Sequence, residues 1–260
     1  MNNDKMVELE VASTVDGSKE KNIFYMPEGG KNIPLLVGLH TWSCDRFNQV
    51  DRMLPFCIER NWALLLPEFR GPNLSRNPRA KEACASKLAK QDIVDAVNYV
   101  KKSFSVDTNK ILLLGASGGG HMALMMAAYS PDIWKAVSSW VPVTDIAIWH
   151  GHNPGYREHA EACCGGVPGA SPEVDREYRE RSPAFLADKL TGVNLSVHHG
   201  RFDKSVSYRE TWKLAQEIEA LKPEHFFFEL FDGGHELRYD VAFKWLDTQI
   251  VREKEISVTG

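Results

Sequence analysis

Residues 111–124 read I-L-L-L-G-A-S-G-G-G-H-M-A-L, an apolar strand, a glycine-flanked serine and then a helix. Gly115, Ser117 and Gly119 stand in G-x-S-x-G spacing. A serine forced into so tight a strand-to-helix turn projects its oxygen above the sheet. The residues two positions to either side must be small, because backbone passes too closely for larger side chains. The same turn sets the amide of Gly118 at a helix start, where an unpaired N–H and the positive end of the helix dipole can meet an oxyanion. A phosphate cradle does not fit: no Lys-Ser or Lys-Thr follows the glycines, and the spacing is not G-x-G-x-x-G.

Outward from this run, short β-branched or aliphatic stretches alternate with longer amphipathic ones, the pattern of a mostly parallel sheet with helices on both faces. Strands are expected at 7–12, 23–26, 34–40, 62–67, 111–116, 136–140, 195–199 and 226–231, eight in all. Asp16-Gly17 between the first two makes them an antiparallel lead-in. Helices are expected at 50–60, 91–104, 118–129, 208–221 and 239–251, with Pro55 able to delay or kink the first. In 91–104, Ile93, Val97, Val100 and Phe104 recur at offsets of four, seven and eleven and share one buried face. The fold class is α/β, a single domain over 1–260. Residues 144–181, rich in Gly, Pro, Cys, His and charge without a sustained period, read as a lid-like insertion after the sixth strand.

Composition limits the function. The chain has 260 residues, 43% hydrophobic and 25% charged, which suits a globular core. Its 31 Lys and Arg against 35 Asp and Glu leave a net charge of −4, with no basic field for nucleic acid. No window is apolar enough for a membrane span, and M-N-N-D-K-M-V-E-L-E lacks a signal-peptide core, so the chain as given is expected to be cytoplasmic. Five cysteines, Cys44, Cys57, Cys84, Cys163 and Cys164, without Cys-x-x-Cys spacing argue against a disulfide framework or a zinc knuckle. His150, His152 and His159 lack convincing metal-ligand spacing, so no metal is expected.

A serine hydroxyl needs a base to become a nucleophile, and the base needs an orienting acid. Asp203 follows the strand L-S-V-H-H in G-R-F-D-K-S-V, and His235 follows F-F-F-E-L-F in D-G-G-H-E-L. Both fall in loops at the carboxyl edge of a parallel sheet, where such groups can converge with Ser117. Asp145, after the sixth strand, competes for the acid role but reads better as a cap for the insertion. The loop after the third strand, His40-Thr41-Trp42-Ser43, supplies a second oxyanion amide, assigned to Trp42, with His40 shaping the loop.

With these pieces in order, the chain resembles the α/β-hydrolase superfamily over about 33–245, and within it prolyl oligopeptidase-like and acyl-peptidase-like hydrolases and related carbohydrate esterases. The matching pieces are L-H-T-W, P-E-F-R-G at 67–71, G-A-S-G-G, R-S-P at 181–183, H-G-R-F-D-K-S-V and G-G-H. Two departures stand out. Thr41 replaces the glycine that many relatives carry, and no propeller precedes the hydrolase in the chain as read, so the filter that restricts many peptidase relatives to short peptides is expected to be missing.

The function expected is a serine hydrolase of carboxylic esters working through an acyl-enzyme, on a small-molecule ester and without a cofactor. Acyl esters of carbohydrates are included. A prolyl oligopeptidase-like peptidase and a non-catalytic binding module are the alternatives. Among other residues, Glu68 and Arg70 are open between substrate contact and an internal ion pair, and at most one of His198 and His199 can approach the site, since they point to opposite faces of a strand. Trp134, Trp140, Trp212 and Trp245 read as core. Trp42 and Trp149 read as a substrate platform, with His150, His152, Tyr156 and Arg157 also on the insertion; Trp149 and Tyr156 are the substrate contacts expected.

Overall fold

The computed structural model describes residues 6–251; of the amino-terminal run read above for a leader, residues 1–5 lie outside them. Its strands are β1 Val7–Ala12, β2 Lys19–Tyr25, β3 Ile33–Leu39, β4 Ala63–Pro67, β5 Val106–Ala116, β6 Ala136–Trp140, β7 Leu195–Gly200 and β8 Phe226–Phe231. They form one eight-stranded sheet in the order β1-β2-β4-β3-β5-β6-β7-β8. Only β2 runs against its neighbours. β2 starts earlier than its apolar run because Lys19–Asn22 pair with β1 through backbone bonds that need no apolar side chain. β5 likewise begins at Val106, beside Ile33, through the polar stretch that precedes Ile111.

The apolar runs divide between two faces, as doubly covered parallel strands do. Leu35, Val37 and Leu39 of β3 join Ile111 and Leu113 of β5 on one side, under α2 (Lys87–Ser103), α3 (Gly118–Tyr129) and α7 (Tyr208–Ala220). Leu36, Leu112 and Leu114 face the other side, under α1 (Val50–Arg60) and α8 (Tyr239–Val251). The α1 helix carries through Pro55 from Val50. The α2 helix starts four residues before the expected Gln91, because the Ser86 side chain accepts from the Ala89 amide and caps a first turn that carries too few apolar residues to show a period. Two of the tryptophans expected in the core divide otherwise: Trp212 is exposed on α7 and Trp245 only half-buried, while Trp134 and Trp140 are buried. Among the described residues no helix is long and apolar enough to cross a membrane.

The insertion is more ordered than its composition suggests. It folds into α4 (Ile146–His152), α5 (Arg157–Cys164) and α6 (Pro172–Glu180) around a small core shared with Trp42, Ala80, Cys84 and Val206. Each helix is short, so periodicity misses it, but the ends are marked. Asp145 caps α4 through the amides of Ala147 and Ile148, Gly165 ends α5 in the left-handed region, and Ser171-Pro172 opens α6. Cys163 and Cys164 are buried thiols at the end of α5. Arg181 then fastens the segment to the stretch that precedes α2, donating to the carbonyls of Lys81 and Ala83.

Arg70 is an internal ion-pair residue. It is 2% exposed, and its guanidinium reaches Asp92 at 2.5 Å, Asp16 at 2.7 Å and Glu82 at 2.8 Å. Arg70→Met leaves the buried Asp92 carboxylate without its counter-charge, and unfolding in urea should show a loss of about 3–5 kcal/mol. A change under about 1 kcal/mol would mean that the network contributes nothing to stability.

Candidate active site

Ser117 sits between β5 and α3 with φ 56° and ψ −121°. This positive-φ conformation costs about 1–3 kcal/mol in a non-glycine residue and holds only because both flanking elements are fixed. The close backbone passage is real: a β-carbon on Gly115 would stand 2.2 Å from the Gly119 carbonyl oxygen. The turn is further held by the Ser117 amide, which donates to the Trp140 carbonyl at 2.9 Å.

Three loops meet at this serine. His235 Nε2 lies 2.9 Å from Ser117 Oγ, and His235 Nδ1 lies 2.7 Å from Asp203 Oδ2. The loops carrying Asp203 and His235 are tied by backbone bonds, Arg201 to the Phe231 carbonyl and Phe202 to that of Gly233. Asp203 itself is fully enclosed, its Oδ1 accepting from the amides of Ser205 and Val206 at 2.8 and 2.9 Å. Burial alone would raise its pKa. Hydrogen bonds from His199, His235 and the Val206 amide outweigh that and hold the carboxyl well below the usual carboxylate range.

His199 is a residue the sequence left unassigned. Its Nε2 lies 3.2 Å from Asp203 Oδ2 and 3.1 Å from the Val206 carbonyl, so it steadies the acid loop from inside. Strand alternation turns His198 the other way, where it stacks on Trp140 at 3.9 Å and meets Glu229 at 2.8 Å. Burial lowers the His198 pKa. The pairing of opposite faces was readable in H-H-G; which face met the acid was not.

Beside Ser117 the backbones of Gly118 and Trp42 approach each other. A β-carbon on Gly118 would come within 2.4 Å of the Trp42 amide nitrogen, so the two backbones are in direct contact there. His40 shapes this loop: its ring nitrogens lie 2.9 Å from the carbonyl oxygens of Thr41 and Glu68, and its ring stacks on Phe69.

A cleft of about 360 Å³ opens over Ser117, with Trp42, Tyr156, His235 and Tyr239 on its walls. The expected aromatic platform is corrected here. Trp149 is 6% exposed, wedged between the rings of Trp42 and Tyr156, with its Nε1 donating to the Ser205 carbonyl. The Trp42 indole is likewise buried against it. The α4 helix places Trp149 on its inner face. Of the insertion residues singled out, Tyr156 alone lines the cleft; His150 is buried against Glu161, and Arg157 donates to the carbonyls of His150 and Gly151. Trp149→Ala should therefore lower stability by about 3–5 kcal/mol as a core truncation. A thermal melt that does not move, with only KM altered, would restore the platform.

Glu68 pairs with Arg46 at 2.8 Å and Asp145 caps α4, so neither enters the cleft. Among the described residues no group of His, Cys, Asp and Glu is arranged to hold a metal ion.

This sheet order, with a serine on the elbow after β5 and an acid and a histidine beyond β7 and β8, is the α/β-hydrolase fold. The chain belongs to the prolyl oligopeptidase family, whose profile matches residues 82–249. It is 26% identical over 144 residues to the uncharacterized peptidase YtmA of Bacillus subtilis (strain 168), covering 55% of this chain and 54% of that one. It is 23% identical over 114 residues to feruloyl esterase B of Neurospora crassa, covering 44% of this chain and 38% of the esterase. The chain thus spans about half or less of the length of these relatives. Among solved structures, 2,6-dihydroxy-pseudo-oxynicotine hydrolase superimposes with a TM-score of 0.76 at 18% identity, over 97% of this chain and 70% of the other.

Proposed function

We propose that the protein is a serine hydrolase of carboxylic esters, with Ser117 as nucleophile, His235 as general base and Asp203 as the acid that orients it. The observation that carries this reading is the continuous relay from Ser117 Oγ through His235 to Asp203, with contacts of 2.9 and 2.7 Å, at the floor of an open cleft. Ser117 Oγ attacks the ester carbonyl as its proton passes to His235 Nε2, and Asp203 stabilises the imidazolium. The amides of Trp42 and Gly118 receive the negative charge on the carbonyl oxygen. Collapse expels the alcohol, which takes the proton from His235, and leaves the acyl group on Ser117. Water then attacks the acyl carbon, giving a proton to His235, and the acid departs as that proton returns to Ser117 Oγ. No cofactor enters any step.

Esters are favoured over amides on the size of the cleft. An amine must be protonated as it leaves and is the poorer leaving group, so a peptidase needs a groove that positions the chain on both sides of the bond. A cleft of about 360 Å³ suits a short acyl or aryl group and a compact alcohol, including a sugar, with Tyr156 at its edge. The similarity to feruloyl esterase B supports the same reading. The similarity to a peptidase of Bacillus supports the second one, a prolyl oligopeptidase-like peptidase. A panel of p-nitrophenyl esters, acetylated and feruloylated sugars and aminoacyl amides, run beside Ser117→Ala, decides between them. Faster cleavage of amides than of every ester overturns the esterase reading.

A further inference from the structure

One wall of the cleft beside Ser117 carries a cation with no carboxylate of its own. Arg52, in the first turn of α1, is exposed and lines the cleft, and among the described residues no Asp or Glu forms an ion pair with it. Arg46, Arg60, Arg70, Arg79 and Arg181, by contrast, are each tied to a carboxylate. Glu236, also on the cleft wall, is held by Arg238 at 3.0 Å.

Beside Arg52, the side chain of Asn48 is fixed in one orientation. Its Oδ1 accepts from the Thr41 amide at 3.1 Å and from Gln49 Nε2 at 2.9 Å, and Gln49 Oε1 accepts from the Tyr239 hydroxyl at 2.7 Å. With its oxygen engaged twice, Asn48 has only its Nδ2 donors left to offer, and it lines the cleft. Burial raises the Tyr239 pKa, while the Arg52 charge and the hydrogen bond to Gln49 oppose it. The wall therefore presents donors and positive charge.

We propose that Arg52 and Asn48 form an anion subsite, and that the substrate carries a carboxylate apart from the ester being cleaved. The proposal rests on the ester-hydrolase reading of the adjoining serine. One guanidinium with one neutral donor matches a planar monoanion, which it can grip through parallel N–H donors; a phosphate dianion calls for more positive charge. The carboxylate can belong to the acyl half or to the alcohol half.

Two pairs of esters separate these sources: p-nitrophenyl hemiglutarate against p-nitrophenyl valerate for the acyl half, and 4-acetoxybenzoate against 4-acetoxybenzamide for the alcohol half. In one pair the anionic member should have a kcat/KM about tenfold higher at low ionic strength, expressed mainly in KM and weakened by salt. That selectivity should vanish in Arg52→Gln, return in part in Arg52→Lys and reverse in Arg52→Glu. Equal kcat/KM within both pairs, or a preference that survives Arg52→Gln, overturns the subsite. Calorimetric binding of the same compounds to the Ser117→Ala protein needs no turnover. Arg52-dependent preference for the anions there, without hydrolysis by the unmodified protein, keeps the subsite and discards the ester-hydrolase reading. Hydrolysis without anion preference in either measurement does the reverse.

Discussion

Changing Ser117 to alanine is expected to lower kcat for p-nitrophenyl acetate by about 10⁴- to 10⁶-fold, because nucleophile and base act as a unit and neither retains a function without the other. The fold should survive. The hydroxyl's hydrogen bond is to His235, at the floor of an open cleft, and alanine adopts the φ of 56° no less readily than serine does. Stability should stay within about 1 kcal/mol of the unmodified protein by urea unfolding. His235→Ala should lose about as much activity as Ser117→Ala. Turnover in either variant within tenfold of the unmodified protein would remove Ser117 and His235 from the mechanism.

Asp203→Asn should lower kcat by about 10³- to 10⁴-fold, since the asparagine no longer stabilises the imidazolium or fixes its tautomer. Asp145→Asn should stay within a few-fold of full activity. Its role is to cap α4 through Oδ1, which an asparagine performs equally well. The pH dependence has a definite sign. Asp203 is held well below the usual carboxylate range, so it stays ionised across an ordinary assay range and adds no titration of its own to the rate profile there. The same depression means that the carboxylate's contribution to stability is fully present above its unfolded pKa, about 3.9, and is lost only as pH falls through the lower folded value. The stability deficit of Asp203→Asn should therefore narrow below about pH 4. Reversed severities of the two aspartate variants would move the acid role to Asp145.

Both the elbow and the convergence on it were legible because each depends on short-range pattern. The apolar run before Gly115 has no other use than a buried strand, and the glycines around Ser117 mark a turn that larger residues cannot make. Asp203 and His235 follow apolar strands, and a parallel sheet brings such loop residues to one edge whatever lies between them in sequence.

What escaped the sequence depends on tertiary placement. The helices α4, α5 and α6 are too short to show a period, and their core is completed by Trp42 and Cys84 from distant loops. Without a visible period nothing in 146–152 marks an inner face, whereas two turns of helix are enough to turn Trp149 inward. Arg70 was undecided because its partners, Asp16, Glu82 and Asp92, are scattered over the chain and meet only in the fold. Arg52 was passed over for the opposite reason: a single arginine on an exposed helix face resembles any solvated charge until the cleft is seen beside it.

The central claim, that Ser117 is an activated nucleophile, is tested most directly by treating the full chain with a fluorophosphonate probe and mapping the adduct by peptide mass spectrometry. The account predicts one adduct per chain, on Ser117, formed in the unmodified protein and abolished in both Ser117→Ala and His235→Ala. No adduct in the folded protein, or an adduct on Ser43 or Ser205 that persists in Ser117→Ala, would contradict it.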